Sequence, residues 1–534
     1  MKLTDITRGE TAEFTKMGYE IPTYDREKVI ARTKENPTWL HFGAGNIFRA
    51  FPAALLEKLL KDGVTDTGVI VAEGFDYEII EKAYRPYDNL SLLAVLKSDG
   101  TVEKKVIGSV CESLRADYSF PDWERLSEIF RNPSLQMVTF TITEKGYSLK
   151  GPDGNLSKTA EEDLTSRGLK PVLMMGKLTA LLYERYKAGA APITLSSLDN
   201  CSHNGDKVKD GVYAYAEAMV RQGVCDSGFL AYVKNPVLVS FPWSMIDKIT
   251  PRPDAVVKEM LSKDGFSDHE LIITAKNTYT APFVNAEETE YLVVEDTFVN
   301  GRPELSKAGV LYADRETVDK VEKMKVCTCL NPLHTALAIY GCMLGYTLIS
   351  EEMKDPELKK LITDMGYREA MPVVVNPGIL KPEEFIDAVL TKRLPNPFMP
   401  DAPQRIVTDT SQKLPIRFGE TLLAYLKKGL PVTELTLIPL VLAGFARYLS
   451  GLDDNGNEFT QSTDPLLPEL KKLVSDYTLG GDNDYSRLKE LYSRTDIFAV
   501  DLYEIGLGEK IEGMVRELYS GTGAVRSTLK KYVK

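Results

Sequence analysis

The chain has 534 residues, which is too long for one ordinary hydrophobic core, so we expect two domains. A formal net charge of −12 and a pI near 5.2 argue against nucleic acid or an anionic membrane as the main partner. No apolar run approaches a membrane span, and the N-terminal residues lack the apolar core of a signal peptide. Six scattered cysteines without a C-x-x-C pair fit reduced thiols. We therefore expect a cytoplasmic globular protein.

The first predicted elements are a strand, a glycine turn and a helix. The run Thr38 to Phe42 predicts a buried strand, and Arg49 to Leu60 has a helical apolar repeat. Gly43 can adopt angles closed to other residues, and Gly45 lets the chain approach a phosphate, which the start of a helix favours. The full dinucleotide fingerprint has a third glycine where Phe48 stands, and a turn without a ligand stays the alternative. The candidate cofactor-binding residues here are Gly43, Gly45, Asn46, Phe48 and Arg49.

Two further apolar runs extend this unit. Gly68 to Ala72 predicts a strand that ends beside Glu73 and Asp76, where a carboxylate would accept hydrogen bonds from a ribose 2′-hydroxyl and would repel a 2′-phosphate. The run Gln136 to Ile142 predicts a third strand, followed by a polar segment with Glu144, another candidate cofactor residue. Together these elements predict the start of a parallel sheet that binds NAD in preference to NADP at its carboxyl edge.

The pattern becomes helical after the strand predicted at Glu290 to Glu295. Turn signals such as Gly429-Leu430-Pro431 separate the helical repeats. These repeats are Glu383 to Leu390, Phe418 to Leu426, Leu435 to Leu449, Leu467 to Val474, Ser486 to Tyr492 and Ile511 to Tyr519. We therefore predict an α/β, Rossmann-like dinucleotide-binding domain over residues 1–304 and a mostly α-helical substrate domain over residues 305–534.

One segment gathers candidate catalytic side chains. Lys325, Asn331 and His334 lie in an otherwise apolar stretch that continues as a helix. A lysine among apolar groups gives up its proton more readily and can act as a general base near neutral pH. Asn331 and His334 can donate hydrogen bonds to an oxygen that becomes an alkoxide. The alternative is an amphipathic helix with its lysine at the water edge and a satisfied histidine.

A metal site is not predicted. Cys327 and Cys329 lie near His334, but a C-x-C spacing without a second cysteine or histidine pair is poor support for zinc.

At this point the chain resembles a known family, the polyol-specific long-chain dehydrogenases, which include mannitol 2-dehydrogenase, fructuronate reductase and tagaturonate reductase. The resemblance covers almost the whole chain. Besides the lysine segment, its markers are GAGNIFRAF (Gly43 to Phe51), TITEKGY (Thr141 to Tyr147), DNCSHNG (Asp199 to Gly205), FPWSMIDKITP (Phe241 to Pro251), VVEDTFVNGRP (Val293 to Pro303), DTSQKLPIR (Asp409 to Arg417) and ARYLSGLDDNG (Ala446 to Gly456).

The resemblance implies roles for these positions. Lys325 matches the family's general base, and Asn200 and Asn331 match the pair that polarises the substrate oxygen. His334 matches the histidine that orients the substrate, and Glu322 matches the glutamate linked to proton release. The positions that resemble substrate-binding residues are Arg405, Lys413 and Asp247. The family uses a nicotinamide cofactor and no zinc.

One departure concerns the spacing of the catalytic segment. In the family the lysine precedes the asparagine by five residues, whereas Lys325 and Asn331 are six apart and Pro332 follows. At about 100° per residue, a regular helix would place Lys325 and His334 on opposite faces. We expect either a π-bulge or a helix that restarts with Asn331 as its cap and Pro332 as its first residue, and we favour the restart.

The resemblance implies reversible hydride transfer between NAD and an open-chain sugar acid or hexitol. We favour D-fructuronate and D-mannonate, because Arg405 and Lys413 offer positive charge for a carboxylate. The alternatives are a mannitol (hexitol) 2-dehydrogenase, a tagaturonate reductase, and a non-catalytic NAD- or sugar-binding sensor in which the longer spacing has spoiled the site. Beyond this small molecule we expect no nucleic acid or membrane partner, and a monomer or homodimer.

Overall fold

The computed structural model describes residues 1–151, 153–165 and 170–534. The chain forms two compact units. The first comprises Met1–Lys97 and Thr101–Asp319, and the second comprises Lys320–Lys534 with Ser98–Gly100.

The strands all belong to the first unit, apart from isolated bridges, within the described residues. In chain order they are β1 (Tyr19–Glu20), β2 (Trp39–Phe42), β3 (Val69–Glu73), β4 (Ser91–Leu96), β5 (Val102–Ile107), β6 (Val110–Arg115), β7 (Met137–Phe140), β8 (Ile193–Ser197), β9 (Val239–Ser240), β10 (Ser244–Asp247), β11 (Ile272–Ile273), β12 (Tyr279–Thr280), β13 (Phe283–Glu287), β14 (Tyr291–Glu295) and β15 (Leu311–Ala313).

A parallel sheet organises the first unit. Its six strands lie in the order β6-β3-β2-β7-β8-β9, and every neighbouring pair is parallel. Numbered along the chain within this sheet, the order is 3-2-1-4-5-6, which is the arrangement of the dinucleotide-binding Rossmann fold. The prediction of an α/β Rossmann-like unit is therefore confirmed.

Alternate side chains of the central strands pack into two separate hydrophobic cores. Leu40 and Phe42 of β2 pack into a core with the helices Asp122–Arg131, Met174–Lys187 and Asn204–Arg221. Trp39 of the same strand faces the opposite core, which contains the helix Pro52–Lys61 and strands β4 and β13. Because side chains alternate across a strand, a strand covered on both faces is apolar throughout, as the sequence showed.

Smaller sheets complete the first unit. Strands β1, β5, β4 and β13 form a mixed sheet, β11 and β12 form a hairpin, and β10, β14 and β15 form a three-stranded sheet. Strand β15 was not predicted from the sequence; it pairs in parallel with β14 from Val293 to Glu295. This pairing holds residues beyond 304 in the first unit.

The helices of the first unit are short or moderate in length. They are Leu3–Thr7, Ala12–Lys16, Arg26–Glu35, Asn46–Ala50, Pro52–Lys61, Asp122–Arg131, Thr143–Tyr147, Lys158–Thr165, Met174–Lys187, Asn204–Arg221, Ser227–Lys234 and Ala255–Lys263, with a π turn at Ile80–Tyr84 and 3₁₀ turns at Arg85–Tyr87 and Leu305–Ala308.

The helix predicted from Arg49 to Leu60 is in fact two helices. Phe51, with φ −131° and ψ −74°, leaves the helical region between Asn46–Ala50 and Pro52–Lys61. The residue before a proline avoids helical angles, and the proline itself is well placed as the first residue of a helix. Pro52 therefore starts a second helix.

The second unit is helical, which confirms the prediction for the C-terminal half. After Arg315–Met324, which crosses from the first unit, its α-helices are Asn331–Met343, Ile349–Glu352, Pro356–Asp364, Pro382–Ala388, Pro403–Ile406, Thr410–Leu414, Glu420–Lys428, Leu437–Tyr448, Leu467–Leu470, Leu488–Tyr492, Thr495–Phe498, Gly508–Leu518 and Ala524–Tyr532. Its 3₁₀ turns are Met371–Val373, Val432–Glu434, Lys471–Leu473 and Tyr485–Arg487.

The second unit also contains several π turns, which are rare and often mark functional sites. They are Lys325–Cys329, Met365–Ala370, Val389–Arg393 and Pro415–Gly419.

One helical run departs from the expectation that no segment is long and apolar enough to cross a membrane. Arg315–Met343 has that length and composition, and 78% of its most apolar part is buried inside the protein. The buried core helix of a folded domain can have the same length and composition.

Candidate active site

Gly43 fixes the turn after β2 in a conformation that only glycine tolerates. Its φ is +109°, and a Cβ atom would lie 2.2 Å from the carbonyl oxygen of Thr141. Its N–H donates to the carbonyl of Ala72 at 2.9 Å, at the end of β3. Gly43 is therefore required by the fold, because side chains meet both steric and conformational obstacles here.

Gly45 has no comparable structural reason to be glycine. Its φ of −74° and ψ of −175° are open to any residue, and a Cβ atom would meet nothing within 4 Å. It precedes the helix that starts at Asn46, whose first N–H groups favour an anion. The open space over Gly45 fits the close approach of a dinucleotide phosphate.

The two acidic residues after β3 are buried and bonded within the protein. The Glu73 carboxylate accepts hydrogen bonds from the backbone N–H groups of Ala44 (2.8 Å), Phe75 (2.8 Å) and Asp76 (3.1 Å), and burial raises its pKa. Asp76 accepts from the Thr274 hydroxyl at 2.6 Å. These bonds tie the glycine turn to the next loop. Ribose binding by either side chain stays a prediction.

Phe48 and Arg49 lie beneath the glycine turn. Both side chains are fully buried. Phe48 stacks on His41 with ring centroids 4.3 Å apart, and Arg49 donates to the carbonyl of Ala281 (2.7 Å) and to the Asn46 side chain (2.8 Å). If these two buried residues contribute to cofactor binding, they do so by shaping the turn and not by contacting the cofactor.

His41 sits in the middle of β2 as a buried, uncharged group. Its Nδ1 and Nε2 are hydrogen-bonded to the hydroxyls of Thr139 (2.6 Å) and Thr141 (2.8 Å). Burial lowers the pKa of His41 to about 3, because the charged imidazolium would lose its hydration without gaining a carboxylate.

This histidine should make the protein sensitive to acid. The unfolded chain binds a proton near pH 6.5 and the folded chain only near pH 3, so the free energy of unfolding falls as pH drops through that window. The slope is at most about 1.4 kcal/mol per pH unit. Urea unfolding at pH 7.5 and 5.0 should show a smaller loss for His41→Gln than for wild type. His203→Gln, whose ring is half exposed, serves as the control; equal losses for His41→Gln and wild type would contradict the assignment.

The loops after β7 and β8 are held together by Asp199. Its carboxylate accepts from the N–H groups of Ile142 (2.8 Å) and Thr143 (3.0 Å) and from the Tyr147 hydroxyl (2.6 Å). Thr143 and His203, which follow these two strands, have φ values of 65° and 51°. Such angles are uncommon outside glycine and cluster at functional sites. Sequence analysis did not single out Asp199.

Asn200 follows β8 and Glu144 lies in the short helix after β7, so both are at the carboxyl edge of the sheet. Asn200 follows Asp199 directly and is exposed. Glu144 forms an exposed ion pair with Lys207 at 2.8 Å. Asp247 lies elsewhere, at the end of β10, where it is buried and opposite Tyr291. The roles proposed for these residues stay predictions, although the edge is where ligands bind in open α/β sheets.

In the second unit, the segment from Lys325 to His334 contains both features that the spacing suggested, a π turn and a helix that starts again. A π turn runs over Lys325–Cys329, and the N–H of Leu330 donates to the carbonyl of Lys325 at 3.1 Å. Leu330, with φ −129° and ψ −64°, then breaks the helix. The new helix begins at Asn331, so the prediction that Asn331 is the cap is wrong by one residue.

The catalytic candidates are placed by this broken helix. Lys325 is buried, with 4% of its surface exposed, and Glu322 is half-buried one turn before it. Asn331 is half-buried and is the first residue of the new helix. An amide in this position is available to a substrate oxygen.

His334 has a buried nitrogen without a partner among the described residues. Its Nε2 forms no hydrogen bond, and the nearest carboxylate oxygen, from Asp401, lies 3.8 Å away. Burial lowers its pKa to about 4; Asp401 opposes the shift, and Arg417, Arg405 and Arg393 add to it. His334 is therefore neutral at pH 7. A buried nitrogen of this kind normally has a partner, which a bound ligand would provide.

The two predicted substrate-binding cations are already engaged within the protein. Arg405 is 64% exposed and forms an ion pair with Asp401. Lys413 donates to the carbonyls of Ile406 (3.3 Å) and Thr408, and its pKa is lowered by burial. The other charged groups near His334 are Asp401, Arg393 and Arg417, none of which was predicted to belong to the site.

The described residues include no group of three or more histidine, cysteine or acidic side chains that could hold a metal ion. The cysteines are free thiols, and Cys329 donates to the carbonyl of Pro382 at 3.8 Å.

The parallel sheet and its glycine turn are the architecture of a dinucleotide-binding protein. Comparison with known proteins agrees. Residues 37–307 match the mannitol dehydrogenase Rossmann domain, and residues 317–519 match the mannitol dehydrogenase C-terminal domain. The chain belongs to the mannitol dehydrogenase family.

Individual relatives are similar over most of their length. The D-mannonate oxidoreductase of Thermotoga maritima is 52% identical over 100% of this chain and 99% of its own. The D-mannonate oxidoreductase of Escherichia coli K12 is 28% identical over 90% of this chain and 91% of its own. A ternary complex of Pseudomonas fluorescens mannitol 2-dehydrogenase with NAD and D-mannitol matches with a TM-score of 0.69 and 25% identity, covering 99% of both chains.

Proposed function

We propose that the protein interconverts D-fructuronate and D-mannonate with NAD(H). The observation that carries this proposal is the 52% identity over the whole chain to a D-mannonate oxidoreductase. The cationic side chains near His334 support an acidic substrate, because guanidinium groups recognise carboxylates well.

The dinucleotide would bind at the glycine turn of the first unit. Gly43 keeps the turn in shape, and the open space over Gly45 fits a phosphate. NAD, when bound, supplies the nicotinamide that accepts a hydride from the carbinol carbon. We propose that its pyrophosphate lies against Gly45.

Side chains of the second unit would handle the proton. During oxidation Lys325 removes the proton of the substrate hydroxyl, and during reduction it returns that proton to the oxygen. Asn331 would donate a hydrogen bond to this oxygen while it carries negative charge, and Asn200 of the first unit stays a candidate for the same role. Glu322, one turn before Lys325, would carry the proton to or from water.

Neutral His334 would orient the substrate. Because its pKa is lowered to about 4, it stays uncharged at the pH at which a metabolic enzyme works, and its free Nε2 can form a hydrogen bond without introducing charge. We also propose that the protein acts in the cytoplasm, as a monomer or homodimer, without a nucleic acid or membrane partner.

Steady-state assays of NADH oxidation test the proposal. We expect turnover with D-fructuronate, and NAD reduction with D-mannonate in the reverse direction, at kcat/KM values well above those for D-tagaturonate and D-fructose. Turnover confined to D-fructose would instead identify a mannitol 2-dehydrogenase. Failure with all of these substrates, while NADH still binds, would favour the sensor and contradict the proposal.

A further inference from the structure

Arg417 is a partly buried cation with an open hydrogen-bonding edge. It lies in the π turn Pro415–Gly419, and its Nη1 donates to the Thr335 hydroxyl. The described residues provide no carboxylate and no second acceptor for this guanidinium. Burial lowers its pKa to about 10, and no acidic group among the described residues opposes that shift.

Two other buried arginines of the chain are satisfied within the protein. Arg185 donates to five backbone carbonyls, and Arg447 donates to three carbonyls and the Ser450 hydroxyl. These side chains hold loops together. Arg417 differs because it has a single uncharged partner, although leaving a charge uncompensated in a protein is costly.

The free edge of Arg417 is accessible. Nε of Arg49 is a buried atom without a hydrogen-bond partner, whereas no nitrogen of Arg417 is in that state. The Arg417 nitrogens without a partner are therefore reached by solvent. With Nη1 held by Thr335, the Nε and Nη2 groups remain, and these form the edge that binds a carboxylate with two parallel hydrogen bonds.

The position of Arg417 places this edge close to the catalytic candidates. Thr335 follows His334 on the same helix, and Arg417 is one of the cations that lower the pKa of His334. The carboxylate nearest to His334, Asp401, is already paired with Arg405. A cluster of cations around a neutral histidine is stabilised when an anion enters it.

We propose that Arg417 binds the carboxylate of the sugar-acid substrate with its Nε and Nη2 groups, and so selects sugar acids over uncharged polyols. This inference rests on the proposed function and revises the prediction from the sequence that Arg405 and Lys413 bind the carboxylate. Thr335 holds the guanidinium in position.

The test compares Arg417→Met and Arg417→Lys with the wild-type enzyme. For Arg417→Met we expect the KM for D-mannonate to rise about ten- to a hundred-fold, with kcat changed much less, because a charged hydrogen bond is lost equally in the bound and transition states. The KM of Arg417→Lys should lie between those of the wild type and Arg417→Met, since lysine keeps the charge but lacks the forked pair of donors. Calorimetric titration of D-mannonate into the enzyme with NADH, a pair that cannot react, should show the same loss of affinity.

Arg368→Met is the matched control, because it removes an exposed arginine from the same unit. It should retain wild-type constants. An unchanged KM for Arg417→Met would overturn the inference, and so would a lower kcat at unchanged KM, which indicates a positioning role. Failure of the proposed function would appear separately, as absent turnover of both sugar acids by the wild-type enzyme.

A wild-type measurement covers the case in which the variants do not fold. Calorimetry of D-mannitol, which lacks the carboxylate, should give at least about tenfold weaker binding than D-mannonate. Equal affinity for the two ligands would overturn the inference without any substitution.

Discussion

Replacing Lys325 with alanine is expected to lower kcat by about two to four orders of magnitude, which is the usual contribution of a general base. The side chain is buried, and it begins the π turn that precedes Asn331 and His334. NADH binding, measured by fluorescence titration, should be unaffected, because the glycine turn belongs to the other unit.

The control for this variant is Lys323→Ala, two residues earlier on the same helix and exposed. Surface substitutions of this kind usually change stability by less than about 0.5 kcal/mol, so Lys323→Ala should turn over substrate at the wild-type rate. If Lys325→Ala did the same, Lys325 would have no place in the mechanism.

Replacing Gly43 with alanine should have the largest effect on folding. The new Cβ would lie 2.2 Å from the Thr141 carbonyl oxygen, and the φ of +109° is unfavourable for alanine. Conformational strain and overpacking together should cost about 3 kcal/mol or more. Thermal unfolding should show a markedly lower melting temperature, and NADH binding should be lost because the turn must move.

Gly45→Ala separates the two functions of the turn. Since its Cβ would enter open space, stability should stay close to wild type, whereas NADH should bind more weakly if a phosphate lies against the backbone. Undiminished NADH binding by Gly45→Ala would show that the pyrophosphate does not approach Gly45. A stable Gly43→Ala protein would show that the chain just after β7 can yield at Thr141.

Much of the fold could be predicted from local patterns in the sequence. The strands expected from Thr38 and from Gly68 are present within a residue or two, because a short apolar run between turn signals has few other ways to be buried. The pairing of β4 with β13 could not be read from the sequence, since it joins segments that are almost two hundred residues apart and neither carries a mark of its partner.

One part of the candidate site could likewise be predicted from the sequence, and another part could not. Lys325, Asn331 and His334 stand close together in the sequence, so their association was visible, and the six-residue spacing correctly indicated an irregular helix. Arg417 was overlooked because its significance depends on what surrounds it. A sequence shows an arginine, but it does not show that only one hydroxyl meets the side chain.

The π turns of the second unit also have a meaning for how such a site diverges. A π turn is a helical turn that has accommodated one additional residue, while the helix on either side keeps its own packing. Lys325, Arg393 and Arg417 each lie in one. Single-residue insertions and deletions in these helices could therefore rotate a functional side chain without unfolding the core, a route to new substrate preference that point substitution does not provide.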